Sequence, residues 1–469
     1  MLTSRKKGKM EESVNSKRIA VIGGGPAGLM AAGAAIDIIE EYQQIENISV
    51  FLFEKMDACG KKLLMTGNGR CNVTHAGAVS EYISKYFENG RFLYSALSAF
   101  SPDDLFTFFE LQGVPLKVEV DGRIFPKSEK AIDILQALTS HAKEKGVRFM
   151  MEEAVLKISE NTRVEDLEST IFESLDSVKG TDVPKYLIKT SKQTFCADKI
   201  IICTGGLSIP DTGSTGDGFR IAASLGHHVE RHRPALCPIH IAADDTQNSL
   251  LGLEDLQGVS VADMGITLYE KDRLLKKERG SLLFTHFGVT GPGVFRISRE
   301  LPIQDEIYME GLVCLYLDFA PEQTQDQLVD VLFERLENSP NKHVTSALRG
   351  IWSESVLFFL LKNTALDPST FSRNISKKQI RIFTEKVKRF PMQVKRKPDY
   401  KQAMVTRGGV KLSEISPKTM ESKKFSGVFF AGEVLDVDGD TGGFNLQAAF
   451  STGFVAGKNA GASICDMLS

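Results

Sequence analysis

The chain has 469 residues, of which 42% are hydrophobic and 25% charged, and its net charge is −3. That length supports two or three domains with cores of their own, and the near-neutral balance gives no broad electrostatic reason to expect nucleic acid or an anionic membrane as partner. Seven cysteines without a CxxC pair argue against a zinc ribbon, a disulfide scaffold or a thioredoxin-like redox pair, and the eight histidines match no metal-ligand spacing, so no metal is expected.

Residues 1–16 carry four early basic residues but no apolar core; they read as a disordered tail rather than a secretory signal. Ile19 to Ile22 then form a short apolar run suited to a buried parallel strand. Gly23, Gly25 and Gly28 follow directly at GxGxxG spacing, with Pro26 and Ala27 between the last two. Gly23 permits the tight turn, Gly25 lets backbone approach a pyrophosphate, and Gly28 lets the next helix pack close to the strand. Leu29 to Ile39 reads as that helix, whose N-terminus can hold phosphates. The stretch Ile19 to Ile39 is apolar enough to imitate a membrane span, but the GGGP turn and Asp37 identify it as strand, turn and helix, and a cytoplasmic protein is expected.

Val50 to Phe53 give a second strand, ending in Glu54, an acid that can bind a ribose diol and favours an unphosphorylated ribose. Residues 57 to 74 read as a loop rich in Gly, Asn and Lys. There Lys61 and Lys62 can meet phosphate, while Gly67, Asn68, Gly69 and Arg70 form a turn whose backbone can approach a flat ring. Cys71, with Cys59 twelve residues away and no partner at CxxxxC spacing, reads as structural. Residues 91 to 113 and 129 to 145 read as helical, and Asp121-Gly122 between them as a hairpin turn. Glu160 to Tyr186 reads as a polar, acidic excursion between strands.

Ile200, Ile201 and Ile202 give another buried strand, which Thr204, Gly205 and Gly206 break where a second crossing of a dinucleotide is expected. A loop over 210–218 and a helix over 219–225 follow. From about Arg233 to Lys401 no phosphate-type loop occurs, which marks an inserted domain. Within it Thr285 and His286 end an apolar run before a Gly-Pro-Gly loop, and His286 is the candidate proton donor or acceptor by residue type. Residues 327–338 and 353–363 read as helices covering the core of this domain. The chain then returns with a strand at Val428 to Phe430, and Gly432 lets backbone approach, while Glu433 or Asp436 can accept hydrogen bonds from ribityl hydroxyls. Gly442, Gly443, Phe444 and Asn445 open a last helix, Leu446 to Cys465, whose positive end can face the pyrimidine side of a flavin. The expected organisation is a nucleotide-binding domain in two parts, 17–232 and 402–469, around a substrate-side insert at 233–401, closed on one cofactor, FAD.

The series GKKLLMTGNGRCNVT, TGGLSIPDTGSTGDG, LLFTHFGVTGP, TRGGV with SPKTMES, and AGEVLDVDGDTGGFNLQAAFSTG resembles, in order from about Arg18 to Ala462, a bacterial flavoprotein family that includes aminoacetone oxidase and a bile-acid 3-oxo-steroid reductase. The resemblance implies an α/β fold: a Rossmann-like FAD-binding domain of glutathione-reductase type, interrupted by an insert with a small β-barrel and a helical part. It also implies noncovalent FAD. Its contacts would be Gly23 to Gly28, Glu54, Lys55, the loop Thr66, Gly67, Asn68, Gly69, Arg70, Cys71 and Asn72, and the helix start Gly442, Gly443, Phe444, Asn445, Leu446 and Gln447. Val155, at the end of the strand pair before the acidic excursion, is a candidate backbone contact to adenine. The chain departs from the family pattern at Cys203, where alanine is common, at Ile209, Ser281, and Phe444, where a tyrosine hydroxyl is missing.

The expected activity is hydride transfer from NAD(P)H through flavin N5 to an activated C=C or carbonyl of a small molecule. NAD(P)H would be a transient donor, because no second dinucleotide fingerprint occurs. Two other readings stand beside it: an amine oxidase of aminoacetone type that makes hydrogen peroxide, and a flavin-containing binding or RNA-modifying accessory protein without turnover of its own. The residues leave the oligomeric state open.

Overall fold

A computed structural model describes residues 17–161, 184–241, 253–364 and 366–468. The tail expected over 1–16 and most of the acidic stretch after Glu160 lie outside the described residues. Two compact units are present: one formed by the chain up to His232 and again from Val405, the other by Arg233–Met404.

The first unit is built on five parallel strands, β1 (Lys17–Ile22), β2 (Ile48–Glu54), β3 (Arg148–Met151), β4 (Lys199–Ile202) and β5 (Val428–Phe430), in the order β5-β4-β1-β2-β3. Near-continuous apolar runs suit strands covered on both faces, and Ile19, Ala20, Val21, Ile200, Ile201 and Ile202 have no exposed surface. The order changes direction between β1 and β4, so a ligand crevice opens beyond their carboxyl ends. Three helices leave those ends: α1 (Pro26–Glu41) after β1, α2 (Asp217–Ser224) after β4 and α3 (Phe444–Cys465) after β5.

The first and last of these helices pack along each other through missing side chains. A Cβ at Gly453 would lie 2.4 Å from the Ala27 carbonyl oxygen, one at Gly457 2.1 Å from that of Ala31, and one at Gly461 2.1 Å from Ile38 Cγ2. Glycines four residues apart share one helix face, so this spacing lets α3 lie directly on the backbone of α1.

Local chemistry redraws some expected boundaries. The helix expected over 91–113 is two, Gly90–Ala99 and Pro102–Leu111, because Ser101 caps the second by accepting from Asp104 N and Pro102 occupies its first turn. The loop expected over 57–74 contains a short helix, Lys61–Met65, before its turn. Asp121-Gly122 does turn a hairpin, between Leu116–Val118 and Arg123–Pro126, with Gly122 at φ 86°.

The second unit carries a six-stranded antiparallel sheet, in the order Ile239–His240, Gly288–Thr290, Arg273–Thr285, Ser260–Glu270, Val313–Asp318 and Phe390–Gln393. Its two edges meet at a bridge between Ile241 and Val394. Helices Gln325–Glu337, Glu354–Lys362 and Lys377–Lys388 bury Leu328, Leu332, Leu360, Ile380 and Phe383 in the core of this unit. The segment expected as a Gly-Pro-Gly loop forms the strand Gly288–Thr290 and the start of the helix Pro292–Ser298. Among the described residues no helix is long and apolar enough to cross a membrane.

Candidate functional site

The crevice of the first unit begins at the turn between β1 and α1. Gly23 sits at φ 107°, and a side chain there would come within 2.5 Å of the Cys203 carbonyl oxygen. A Cβ at Gly28 would lie 1.8 Å from the Gly23 carbonyl oxygen, so turn and helix are in backbone contact. Gly25, the N-cap of α1, differs from both: a Cβ there would meet nothing within 4 Å. No side chain caps α1 and no acid stands in its first turn, so free N–H groups and the positive helix end face open space. Pro26 and Ala27 form the first turn. At the end of β2, Glu54 accepts from Gly24 N (2.8 Å) and Met56 N (2.8 Å), which fixes the acid beside the turn. An open space lined by uncapped amides and flanked by a carboxylate fits the phosphates and ribose of a dinucleotide.

A second wall comes from the loop after β2. Gly67, Asn68 and Gly69 all have positive φ (57°, 56° and 83°), as does Cys71 (62°), so the backbone turns its amides without regular pairing. Arg70 is held by Glu119 (3.1 Å) and lies over the Phe125 ring at 4.2 Å. Cys71 is fully buried and burial pushes its thiol up to about 12, the behaviour of a packing residue and not of a thiolate.

This loop is joined to the far end of the chain. With its amide turned so that the nitrogen meets acceptors and the oxygen a donor, Asn72 donates to the carbonyl oxygens of Thr74 (3.0 Å) and Ile124 (3.2 Å) and accepts from Gly443 N (3.1 Å). Thr74 Oγ1 donates to Gln447 Oε1 (2.6 Å), Tyr86 OH donates to the Phe444 carbonyl oxygen (2.9 Å), and the His75 ring stacks on Phe444 at 5.1 Å. Gln447 is fully buried and also reaches Phe100 and Ser451, while Asn445 clamps Gly439 through both its amide atoms. Gly442 and Gly443 take φ 119° and 95°, and a Cβ at Gly443 would strike Thr74 at 2.6 Å. Leu446 follows on the first turn of α3, whose start has no side-chain cap and no acid.

Glu433 is the hub between these walls. Its Oε1 accepts from Ser208 Oγ (2.8 Å) and Thr406 N (2.8 Å), and its Oε2 from Lys62 Nζ (2.7 Å), which also bonds Ser208 Oγ. Burial disfavours the charge, but Lys62, Ser208 and the Thr406 amide outweigh it and hold the carboxyl below the usual glutamate range. Thr406 Oγ1 in turn accepts from Leu207 N (2.8 Å), and a Cβ on Gly206 would come within 2.4 Å of it. Gly432, at φ 76°, donates to Thr452 Oγ1 (2.9 Å) and passes close to Ala27. The Thr204 hydroxyl is buried without a partner, against Gly218.

Lys55 pairs with Asp217 (2.5 Å) on α2, and Lys61 with Asp57 (2.5 Å) at the surface. Gly205 takes φ 69° beside Ser214. Val155 is buried and begins the strand Val155–Glu160 instead of ending one. Asp436 has its carboxyl raised by burial, and its carbonyl oxygen accepts from Asn89 (2.7 Å). His286 lies in the second unit, exposed in the two-residue turn between paired strands. The sequence did not single out Thr74, His75, Tyr82, Lys85, Tyr86, Ser208, Asp217 or Thr406. Thr406 and Ser208 stand inside family motifs (TRGGV and TGGLSIP), so the signal was present without a role.

Beside Phe444 a cleft of about 390 Å³ is lined by His75, Ala76, Glu81, Tyr82, Ser84 and Lys85. His75 Nδ1 lies 2.6 Å from the Ala76 carbonyl oxygen, and Lys85 Nζ 5.7 Å from the centre of the Phe444 ring. The Tyr82 hydroxyl is committed to the His75 carbonyl and Thr74, and burial raises its pKa. Among the described residues no group of three or more His, Cys, Asp or Glu side chains is placed to hold a metal ion.

A parallel α/β sheet with uncapped helix starts converging on one crevice defines a Rossmann-type dinucleotide-binding protein. The chain belongs to the HI0933-like family, whose Rossmann-domain model matches residues 17–459. It is similar to a 3-dehydro-bile acid delta(4,6)-reductase of Clostridium scindens, 29% identical over 94% of this chain and 98% of the relative. It is also similar to ribosomal RNA dihydrouridine synthases of Haemophilus influenzae (26% identical, covering 92% and 96%) and Escherichia coli (26%, covering 94% and 96%). Among solved structures, a flavocytochrome c3 fumarate reductase in its open conformation aligns at 16% identity over 96% of this chain and 78% of that one, with a TM-score of 0.47.

Proposed function

We propose that this protein is an FAD-dependent reductase that uses NAD(P)H to saturate a C=C bond conjugated to a carbonyl. The observation that carries the reading is the open space at Gly25, between the uncapped start of α1 and Glu54, combined with a second uncapped helix start at Gly443 that the Asn72 loop pins in place. When bound, FAD would supply the redox chemistry that the side chains lack. The residues have distinct tasks. Gly23, Gly25 and the first turn of α1 would hold the phosphates of FAD and Glu54 its ribose, and Asn72 with Gly443 fixes the start of α3, whose positive end would favour negative charge on a bound group. Glu433 holds Lys62 and the Ser208 segment in register. The cleft beside Phe444 is within the size range of small-molecule sites and offers His75 and Lys85 as groups able to hold or deliver a proton.

The relatives' names support the choice of substrate chemistry. A delta(4,6)-reductase of a 3-dehydro-bile acid and a synthase of dihydrouridine both saturate a C=C that is conjugated to a carbonyl. The curled six-stranded sheet, whose edges meet at Ile241 and Val394, is read as the small barrel of the substrate-side insert. The test is anaerobic stopped-flow of the yellow holoenzyme with NADH and NADPH, following flavin absorbance at about 450 nm. Rapid bleaching, reversed by an enone but not by a saturated ketone, is the expected result; no bleaching by either nucleotide overturns the reading in favour of an amine oxidase.

A further inference from the structure

Phe444 stands where the family pattern commonly carries a tyrosine hydroxyl. Saturating a C=C conjugated to a carbonyl takes a proton as well as a hydride, and a side chain placed at the reacting carbon delivers that proton faster than bulk water does. Most polar groups of the cleft beside Phe444 are already engaged. The Tyr82 hydroxyl accepts from His75 N (3.0 Å) and donates to the His75 carbonyl oxygen, Ser84 Oγ donates to the Glu81 carbonyl oxygen (3.0 Å), and Glu81 Oε2 accepts from Ala78 N (3.0 Å). Lys85 is exposed, on a flexible stem that fixes no direction for its ammonium group.

His75 is held on every side but one. It ends the strand Thr74–His75, which pairs with Ile124 and Arg123, and its ring stacks on Phe444 at 5.1 Å and 20°. The Gly122 turn closes on the ring edge: Ala76 N donates to the Gly122 carbonyl oxygen (2.7 Å), and a Cβ at Gly122 would lie 2.4 Å from His75 Cε1. A Cβ at Gly442 would stand 3.5 Å from Cδ2. Nδ1 lies 2.6 Å from the Ala76 carbonyl oxygen, which can only accept, so Nδ1 carries the proton of the neutral ring. Proton uptake and release therefore fall to Nε2, which has no hydrogen-bond partner among the described residues. A packing histidine in the same unit looks different: the fully buried ring of His227 engages Glu414 through Nδ1 (2.9 Å) and Ser422 through Nε2 (2.8 Å). The half-buried ring of His75 is fixed in one tautomer and leaves its second nitrogen unengaged where it lines the cleft, as a general acid requires.

We propose that His75 is the proton donor of the reduction, through Nε2, in place of the hydroxyl that Phe444 lacks. This inference rests on the reductase reading above and assigns one residue to its proton-transfer step. The substrate gains two electrons as a hydride at its β-carbon, taken from reduced flavin, which is oxidised. The π pair of the C=C then bonds the α-carbon to the Nε2 proton, and the N–H bonding pair stays on Nε2. The imidazole is left neutral with its remaining proton on Nδ1, and water in the open cleft returns the other.

The experiment takes full-length holoenzyme reduced anaerobically with dithionite, so that no nicotinamide donor is needed, and follows flavin reoxidation at about 450 nm by two enones of different size, cyclohexenone and androstenedione. Wild type is compared with His75→Ala and with His75→Gln, which keeps bulk and hydrogen bonding but gives up no proton. Both variants are expected to retain flavin and to bind the enones with unchanged affinity, read from the shift of the oxidised flavin spectrum, yet to be reoxidised at least about 100-fold more slowly. Imidazole is expected to bind His75→Ala and not the wild type, seen by saturation-transfer NMR without turnover. It should also speed reoxidation of His75→Ala but not of His75→Gln, with the rescue fading as rising pH removes imidazolium. Reoxidation of either variant at the wild-type rate, or a slow His75→Ala that imidazole does not rescue, overturns the proposal. Loss of flavin or of enone affinity in both variants makes His75 structural and overturns it as well. A wild type that neither enone reoxidises overturns the reductase reading and the proposal with it, whereas normal reoxidation of wild type and variants alike removes His75 and leaves that reading intact.

Discussion

The starts of α1 and α3 are both glycine turns with no side-chain cap and no acid in the first turn, yet they are built in different ways. At α1 the turn and the acid come from one short stretch, with Gly28 packed on Gly23, five residues away, and Glu54 reaching back to Gly24 from the next strand, while Cys203, Gly432 and Gly453 close on that turn from later in the chain. At α3 the constraints come from the other end of the sequence, with Asn72 on Gly443, Thr74 on Gln447 and Tyr86 on Phe444. The phosphate side of the crevice thus takes its turn and its acid from one short stretch of chain, while the ring side takes its hydrogen bonds from residues at opposite ends of the chain. Loop closure across some 370 residues costs entropy, and the dense hydrogen bonding around Asn72, Thr74 and Gln447 is what offsets it.

The comparison is broken most severely at α1. Gly28→Val would force a side chain into the Gly23 carbonyl, and a cost on the order of 4 kcal/mol is expected, lowering the melting temperature by about 10 °C and giving colourless protein. Recovery of yellow protein with unchanged melting would show that turn and helix are not in the described contact. A smaller effect is expected at α3. Asn72→Ala leaves Gly443 N unpaired and removes two donors, which should cost about 1–3 kcal/mol and weaken flavin binding while β1, α1 and β2 stay folded. Flavin titration of the apoprotein together with thermal melts checks this; equal loss of fold and flavin would contradict the division drawn above.

The pH dependence of the hub is smaller still. The Glu433 carboxyl lies below its ordinary value of 4.5 in the folded chain, so its stabilisation is fully present above that value and is lost as pH falls through the lower folded value. Glu433→Gln should therefore flatten the acid limb of the stability curve below about pH 4.5 and leave the curve near neutrality lower and otherwise parallel; an acid limb identical to that of the wild type would remove Glu433 from this role. Least of all is expected of Phe444→Tyr. Phe444 already packs against Tyr82, Tyr86 and His75, so restoring the hydroxyl common in the family should change stability by less than about 1 kcal/mol. A larger loss in thermal melts would mean that the ring edge is enclosed rather than open to the cleft.

The residues that the sequence singled out divide along the same line. Gly23, Gly25, Gly28 and Glu54 form a short run of strand, turn, helix and acid whose spacing is dictated by backbone sterics, so a reader of the chain can place them. The positive φ run at Gly67 to Gly69 was legible as a turn for the same reason, though the helix Lys61–Met65 before it was not, because its five residues carry no periodic signal. Lys62 was legible as a cation, but its attachment to Glu433 was not. Nothing in the local sequence of Thr406 or Ser208 shows that both meet that carboxylate.

By itself, then, the sequence determined the parallel-strand core, the dinucleotide turn and the return of the chain to the first unit at Val428, since these follow from hydrophobic runs and from glycines where no side chain fits. Only the tertiary structure decided that α3 lies on α1 through Gly453, Gly457 and Gly461, that Asn72 holds Gly443, and that His75 stacks on Phe444. The physical reason is that a backbone conformation is set by a residue and its immediate neighbours, whereas a hydrogen bond or a ring stack depends on which distant residues the fold brings within a few ångströms.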